Sequence, residues 1–253
     1  MIGRSIAIGG IVAILAASPA AAQLPTPDPA IYVPDYGAMI AQDTFLRQSL
    51  GQPGAATRSA PKPKRKAKRP KPVPRPTARQ RATLKFGADP AVSDAVNQFF
   101  LEHFAAPGVP AETVVADLNR LREIGHSDLR HMRWNARHLA DVATYVLLVS
   151  YGSVNDTTRL PPAGVKLLRR AVTDELARDK SVRRLSDAEQ QRLGELLMLR
   201  VGYYVGWRND HVAKGNPDGA ETLRADLRRF VRSVYGIDVS AVRLTSRGFS
   251  PKH

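Results

Sequence analysis

Residues 139–152 read LADVATYVLLVSYG and include Val142–Val149, the most apolar run of the chain beyond its N-terminal segment. A helix needs about 20 apolar residues to cross a bilayer, and this run is shorter. Asp141 directly precedes it. The run therefore indicates a buried part of a folded domain and not a membrane span.

Apolar residues recur at helical spacing on both sides of this run, as they do in a helix that buries one face. The pattern ends at Gly152, and its start has two candidates, Ser127 and Asn135. Both residue types are good N-caps, because their side chains accept hydrogen bonds from the free amides of the first turn. The spacing predicts one long helix and leaves its first residue open between the two.

Further helices are predicted by their start signals. Proline in the first helical position, preceded by Asp or Asn, marks two of them, at Asp89–Pro90 and at Asn216–Pro217. A capping box marks another at Ser186–Glu189, because the serine and glutamate side chains can each accept a backbone amide. Two more begin near Pro110 and Pro162.

The helix near Pro162 carries a single apolar stripe, made of Val165, Leu168, Val172 and Leu176. Near the C-terminus Gly236 ends the last helix, and only the tail Asp238–Phe249 reads as extended. About six helices with short connections predict an all-α fold, a single multi-helix bundle in residues 85–253.

Three segments resemble a family of exported bacterial proteins known only as a domain of unknown function. They are residues 139–152, LSDAEQQRLGELLM at 185–198, and DVSAVRLTSRGF at 238–249. The resemblance implies a signal peptide, a variable spacer and a C-terminal helical domain that ends in a Leu-Thr-x-x-Gly-Phe tail. That tail is matched here by Leu244, Thr245, Gly248 and Phe249. The resemblance implies no activity.

Residues 1–22, MIGRSIAIGGIVAILAASPAAA, have the layout of a secretory signal peptide. Arg4 precedes an apolar run, and three alanines stand before Gln23, which predicts cleavage after Ala22. The alternative is an uncleaved membrane anchor, but the run is shorter than a span and rich in Gly and Ala. We expect export to the periplasm or the medium.

Residues 23–57 form a segment of low predicted order, because it contains few large apolar residues. Within it, Tyr36–Leu50 carries apolar side chains at near-helical spacing, which are Met39, Ile40, Phe45 and Leu46. The spacing predicts either a short amphipathic helix that docks on the domain or a partner, or a frayed turn without function.

Residues 58–84 are a basic linker rich in Pro, Lys and Arg, for which we predict disorder. Its part from Arg58 to Arg81, here named the cationic strap, contains eleven cations and no acid. They are Arg58, Lys62, Lys64, Arg65, Lys66, Lys68, Arg69, Lys71, Arg75, Arg79 and Arg81. Alternating proline and lysine favours extended polyproline II, which rises about 3.1 Å per residue.

Two interpretations of the cationic strap stay open. Closely spaced cations bind polyanions by displacing counterions, without a defined pocket. Alternatively, the charge only keeps a solvated spacer extended. A nucleic-acid partner would suit the same composition but does not fit the signal peptide.

The sequence carries no recognisable catalytic or metal-binding signature. There are no cysteines, which excludes disulfides, thiolate nucleophiles and zinc fingers. The six histidines show no metal-ligand spacing, so we expect no metal and no cofactor.

A possible binding groove is suggested by Asp141 with His138, and by Tyr203, Tyr204 and Trp207. Asp141 would be a perturbed carboxylate if it is partly buried. The plainer alternatives are an Arg137–Asp141 pair on a helix surface and aromatic side chains that only pack the core. The spacing of Gly202 and Gly206 indicates a close approach of two helices.

The charge distribution guides the functional expectation. The net charge is +15, but outside the cationic strap 27 Lys and Arg stand against 23 Asp and Glu. We expect a non-catalytic binding or scaffolding protein of the bacterial envelope, held by the strap near a cell-wall or anionic-lipid surface. The alternatives are a cell-wall-acting enzyme that uses Asp141, Glu195 or a histidine, and a soluble partner or chaperone with an exposed apolar groove.

Overall fold

The computed structural model describes residues 74–105 and 108–252, and within them it contains seven α-helices and one β-hairpin. The all-α prediction is confirmed. The helices are α1 (Ala78–Ala82), α2 (Pro90–Phe104), α3 (Ala111–His131), α4 (Leu139–Val154), α5 (Pro162–Arg178), α6 (Asp187–Ala213) and α7 (Pro217–Tyr235). A 3-10 turn, Val182–Arg184, precedes α6, and the hairpin consists of β1 (Val242–Thr245) and β2 (Gly248–Pro251).

Helix α4, which contains the apolar run Val142–Val149, is the central helix of the domain. Every residue from Leu139 to Tyr151 is buried. Helices α5, α6 and α7 pack around it and complete the larger core, with side chains such as Leu176, Leu197 and Phe230. A helix that is apolar on all sides is stable in water only when neighbours cover all of it.

A smaller core lies between α2, α3 and α6. It consists of Val96, Phe100, Leu118, Leu196 and Leu199. Because α6 contributes to both cores, this helix joins the α2–α3 pair to the bundle around α4. The length of α6, 27 residues, allows both contacts along one helix.

The helix starts predicted at Asp89–Pro90, Ser186 and Asn216–Pro217 are confirmed. The Asp89 side chain accepts a hydrogen bond from the Ala91 amide at 2.9 Å, just before Pro90. Both halves of the Ser186–Glu189 capping box are present. Asn216 caps α7, and the predicted terminator Gly236 follows it with a φ of 66°.

The predicted start of the central helix at Ser127 or Asn135 is wrong. The preceding helix α3 continues to His131, and the chain then turns at Arg133, whose φ is 58°. The Trp134 amide donates to the Leu129 carbonyl at 2.8 Å and closes this turn. Apolar spacing did not reveal the turn, because Leu129 and Leu139 lie in the same core on different helices.

The extended tail predicted over Asp238–Phe249 contains β1 and the first two residues of β2, which continues to Pro251. The strands are antiparallel, with Thr245 opposite Gly248. The Leu244 amide donates to the Tyr151 hydroxyl at 3.0 Å, which anchors β1 to α4. The start of α5 lies so close that a Cβ on Gly164 would stand 2.0 Å from the Thr245 carbonyl oxygen.

The fold begins before the boundary that was predicted at Lys85. Leu84 is fully buried, and its carbonyl accepts a hydrogen bond from the Leu139 amide at 2.9 Å. Helix α1, which lies in the predicted disordered linker, starts with a capping box of Thr77 and Gln80. The capping box and the burial of Leu84 stabilise an ordered structure in this segment, although its proline-rich and basic composition predicts disorder.

The predictions for residues 1–22 and 23–57, and for the strap up to residue 73, lie outside the described residues. In the part of the chain that the structure describes, no helix is long and apolar enough to span a membrane.

Candidate functional site

Asp141 is a buried carboxylate in the first turn of α4. Its side chain is 2% exposed. Arg169 of α5 binds both oxygens, with Nε 2.6 Å from Oδ1 and Nη2 2.8 Å from Oδ2. The Asn135 amide donates to Oδ2 at 2.9 Å. This bidentate pair therefore joins α4, α5 and the turn before α4.

The surroundings of Asp141 stabilise its charged form. Burial alone would raise its pKa, but His138, Arg169 and the Asn135 amide together lower the pKa to about 2. His138 Nδ1 lies 3.6 Å from Oδ1, at ion-pair distance. Asp141 is thus ionised at neutral pH.

The suggested Arg137–Asp141 surface pair is wrong, because α4 begins at Leu139 and Arg137 lies outside it. The cation that binds Asp141 is Arg169, which comes from another helix. Arg169 also lies over the Trp134 ring, with its guanidinium carbon 5.0 Å from the ring centroid. Nothing in the local sequence around Asp141 points to Arg169, which is 28 positions away.

A second buried ion pair joins α3 and α6. Arg122 Nε donates to Glu195 Oε2 at 2.9 Å, and the two side chains are 11% and 8% exposed. The other guanidinium nitrogens donate to Asn119 Oδ1 at 2.6 Å and to Asn97 Oδ1 at 3.0 Å. The guanidinium thus has partners on α2, α3 and α6, as a buried charge requires.

Glu195 is also bound on its other oxygen. Ser93 Oγ of α2 and Gln191 Nε2 of α6 donate to Oε1 at 2.7 Å and 2.9 Å. Gln191 and Asp89 exchange two further hydrogen bonds, through the Asp89 amide and carbonyl. The Glu195 carboxylate is therefore the centre of a polar network that fixes α2 against α6.

The aromatic candidates form one group on α6, separate from Asp141. The ring centroid of Tyr203 lies 6.0 Å from those of Tyr204 and Trp207. Burial raises the pKa of Tyr203 to about 12. The start of α4 packs near Gly194, and the nine-residue step to Tyr203 is about 13 Å along α6. Asp141 and His138 therefore lie apart from the three aromatic residues, and the five residues do not line one groove.

Two of the aromatic candidates pack on rings of other helices. The Tyr203 centroid lies 6.0 Å from that of Phe104, and the Tyr204 centroid lies 6.1 Å from that of Phe230. The Arg200 guanidinium carbon lies 5.0 Å from the Phe230 ring centroid and 5.8 Å from those of Phe104 and Tyr204.

The predicted close approach of two helices is confirmed at Gly202. A Cβ on Gly202 of α6 would stand 3.3 Å from Leu121 Cδ2 of α3.

The C-terminal end of the cationic strap belongs to the folded domain. Arg81 pairs with Asp174 of α5, with Nη2 2.9 Å from Oδ1. Arg178 Nε of α5 donates to the Pro74 carbonyl at 3.3 Å. Arg75 and Arg79 are exposed. Of the three described strap cations, Arg81 therefore has a structural partner.

Among residues 74–105 and 108–252, no group of three or more His, Asp or Glu side chains is arranged to hold a metal ion.

The chain was compared with known protein families. A sequence model for a family of unknown function (DUF6683) matches residues 3–252. The chain belongs to this family. The match extends over the N-terminal segments as well as the helical domain, whereas the resemblance seen in the sequence covered only the latter. No curated protein and no solved structure matches the chain.

The tail that suggested the resemblance has a clear structural role in this DUF6683 chain. Leu244 is buried, and the Thr245 hydroxyl donates to the Gly248 carbonyl at 2.9 Å across the turn. Gly248 has a φ of 97°, which residues with a Cβ rarely adopt. Phe249 packs against Tyr151, with ring centroids 5.4 Å apart. The motif thus closes and docks the hairpin.

Proposed function

We propose that this DUF6683 chain is an exported, non-catalytic binding or scaffolding protein of the bacterial envelope. The cationic strap holds the helical domain near a polyanionic surface of cell wall or anionic lipid. The observation that carries the proposal is the segregation of charge, because eleven cations and no acid lie between Arg58 and Arg81.

The surroundings of the two buried carboxylates argue against their use as catalytic groups. Asp141 and Glu195 are each held by an arginine and by further donors from other parts of the domain. With a pKa of about 2, Asp141 does not act as a general acid at neutral pH. Their role in joining helices is enough to explain why both carboxylates are buried in the domain.

Surface composition gives the chaperone alternative little support. That alternative predicts a large exposed apolar groove. Within the described residues, the large hydrophobic side chains that are exposed are Leu167 on α5 and Val212 on α6. Two single side chains on different helices do not form such a groove.

The proposal is tested with the chain from Gln23 onward and a variant in which the eight cations of residues 58–73 are replaced by glutamine. This variant keeps the length of the strap and leaves the folded residues from Pro74 onward unchanged. Both proteins are cosedimented with purified cell-wall sacculi and with phosphatidylglycerol vesicles over a range of salt concentrations.

We expect the unchanged protein to bind at least one of these surfaces, with an affinity that falls as salt rises. The neutralised variant should bind at least about tenfold more weakly, since each cation near an anionic surface contributes about 1 kcal/mol. Neutral phosphatidylcholine vesicles serve as the control surface. Equal binding of the two proteins, or binding that does not depend on salt, would contradict the proposal.

A further inference from the structure

Helix α5 buries one side and exposes the other. The predicted stripe of Val165, Leu168, Val172 and Leu176 is buried, as predicted. On the opposite side, Ala163, Lys166, Leu167 and Arg170 are exposed. Residues three and four positions apart share a helix face, so these four form one surface, here named the outer face of α5.

The outer face of α5 is positively charged. Lys166 and Arg170 make no ion pair with any described residue, since the salt bridges among residues 74–252 do not include them. The acids on the following turns are already paired, Asp174 with Arg81 and Glu175 with Arg178. Within the described residues, the acids of this helix therefore do not neutralise Lys166 and Arg170.

An apolar side chain lies between these two cations. Leu167 is 44% exposed, and apart from Val212 it is the one large hydrophobic side chain exposed in the described part of the chain. The apolar stripe of α5 is buried in the core, so Leu167 is the large apolar side chain that this helix can offer to a membrane interface. The cations contact anionic headgroups while the leucine enters the boundary of the acyl region.

The cationic strap reaches the domain beside this helix. Arg81 of α1 binds Asp174 of α5, and Arg178 of α5 donates to the Pro74 carbonyl. The strap therefore enters the fold at the C-terminal part of α5. A surface bound by the strap is held at high effective concentration near the outer face, which makes a weak second contact effective.

We propose that the outer face of α5 is a second contact surface for anionic lipid, an inference that rests on the proposed function and specifies its surface. The phosphate groups of the lipid bind Lys166 and Arg170, and Leu167 enters the interface. A lipid surface fits better than a cell-wall polymer, because a hydrated polymer offers no apolar layer for Leu167. Phosphate also suits the planar donor set of Arg170.

The experiment uses the chain from Gln23 onward with phosphatidylglycerol vesicles, phosphatidylcholine vesicles and sacculi. One variant carries K166Q and R170Q, and a second carries L167S. Their matched controls are R130Q with R232Q, which removes two exposed arginines from α3 and α7, and V212S, which removes the other exposed hydrophobic. Circular dichroism and thermal unfolding establish that every variant is folded.

We expect K166Q/R170Q to bind phosphatidylglycerol vesicles about ten to thirty times more weakly, since two cations are lost from the interface. We expect L167S to bind about three to ten times more weakly, and both controls to bind like the unchanged protein.

Two results overturn the inference and leave the proposed function standing. One is that the unchanged protein binds sacculi and not vesicles. The other is that neutralising residues 58–73 weakens vesicle binding while the α5 variants bind like their controls. If the unchanged protein binds neither surface at low salt, the proposed function fails together with this inference.

Discussion

At the residue scale, Asp141 shows how a polar side chain inside an apolar helix is retained. It lies in the first turn of α4, where the helix dipole favours a negative charge. Arg169 supplies a bidentate partner, and the Asn135 amide supplies a third donor. A buried carboxylate with these donors joins elements without leaving an unpaired charge.

We predict that Asp141→Asn lowers the free energy of unfolding by about 2 to 3 kcal/mol at pH 7, because Arg169 loses its charged partner. The control is Asp156→Asn, since Asp156 also pairs with two arginines, Arg208 and Arg224, but is exposed. Asparagine also tolerates its φ of 47°. We expect that change to cost less than about 1 kcal/mol in urea unfolding. A larger loss for Asp156→Asn would contradict the assignment.

The contribution of Asp141 should depend on pH in a defined direction. Its pKa falls from 3.8 to about 2 on folding, so its stabilisation is complete above the higher value and is lost as pH falls through the lower one. The stability difference between the unchanged protein and Asp141→Asn should therefore be constant from pH 7 to about 5 and shrink from about pH 4 to 2. Urea titrations at each pH measure it, and a difference that grows in acid would refute the assignment.

At the element scale, α6 connects the two parts of the domain, because its side chains belong to both cores. The α2–α3 pair is held to it by the smaller core and by the network around Glu195. At the other end of the domain, the hairpin is held by Tyr151 and by its close approach to Gly164. Different physical contacts thus fix the two ends of the bundle.

We predict that Glu195→Ala destabilises the domain by about 3 to 5 kcal/mol, because it leaves the Arg122 charge buried without its partner. The double change Glu195→Leu with Arg122→Met should recover a large part of that loss. Glu102→Ala, an exposed change on α2, is the control and should cost less than about 0.5 kcal/mol. Chemical unfolding measures all three, and a double variant as unstable as Glu195→Ala would contradict the prediction.

We predict that Gly164→Ala costs more stability than Gly125→Ala, although alanine favours both helices. At Gly164 the new Cβ would stand 2.0 Å from the Thr245 carbonyl oxygen, so the hairpin backbone must move. At Gly125 it would stand 2.3 Å from Met198 Sδ, the flexible part of a side chain that can rotate away. We expect a loss of about 2 to 3 kcal/mol for the first and less than about 1.5 kcal/mol for the second.

Thermal unfolding, together with protease sensitivity of the C-terminal tail, compares these two variants. A greater loss for Gly125→Ala would show that the contact of α5 with the hairpin is looser than the structure has it.

At the scale of the whole molecule, the charged and the folded parts of the chain overlap. The last four residues of the cationic strap belong to α1, and Leu84 packs in the core that contains α4. The Gln190 side chain donates to the Thr83 carbonyl at 2.9 Å, which ties the same segment to α6. The strap is therefore continuous with the helical domain.

We predict that a fragment that begins at residue 74 is at least about 3 kcal/mol more stable than one that begins at residue 85. The shorter fragment lacks buried Leu84 and the Arg81–Asp174 pair. The chain from Gln23 serves as the control and should unfold like the longer fragment. Equal stability of the two fragments would place the domain boundary at Lys85 after all.

The sequence alone determined the helical class and most element starts. The caps at Asp89, Ser186 and Asn216 are local signals, because a cap involves residues within one turn. The apolar stripe of α5 is equally local. The start of α4 was predicted wrongly, because the turn between α3 and α4 does not interrupt the spacing of apolar residues. Helix α1 was missed, because its cap lies in a segment whose basic, proline-rich composition predicts disorder.

The tertiary structure alone decided which polar residues meet. Arg169 lies 28 positions from Asp141, and Arg122 lies 73 positions from Glu195. It also separated the aromatic residues of α6 from Asp141, and it placed Leu167 among cations on an outer face. These relations depend on how helices pack, and packing joins residues whose distance along the chain carries no signal. The charge of the strap, by contrast, follows from the sequence alone, because composition does not depend on the fold.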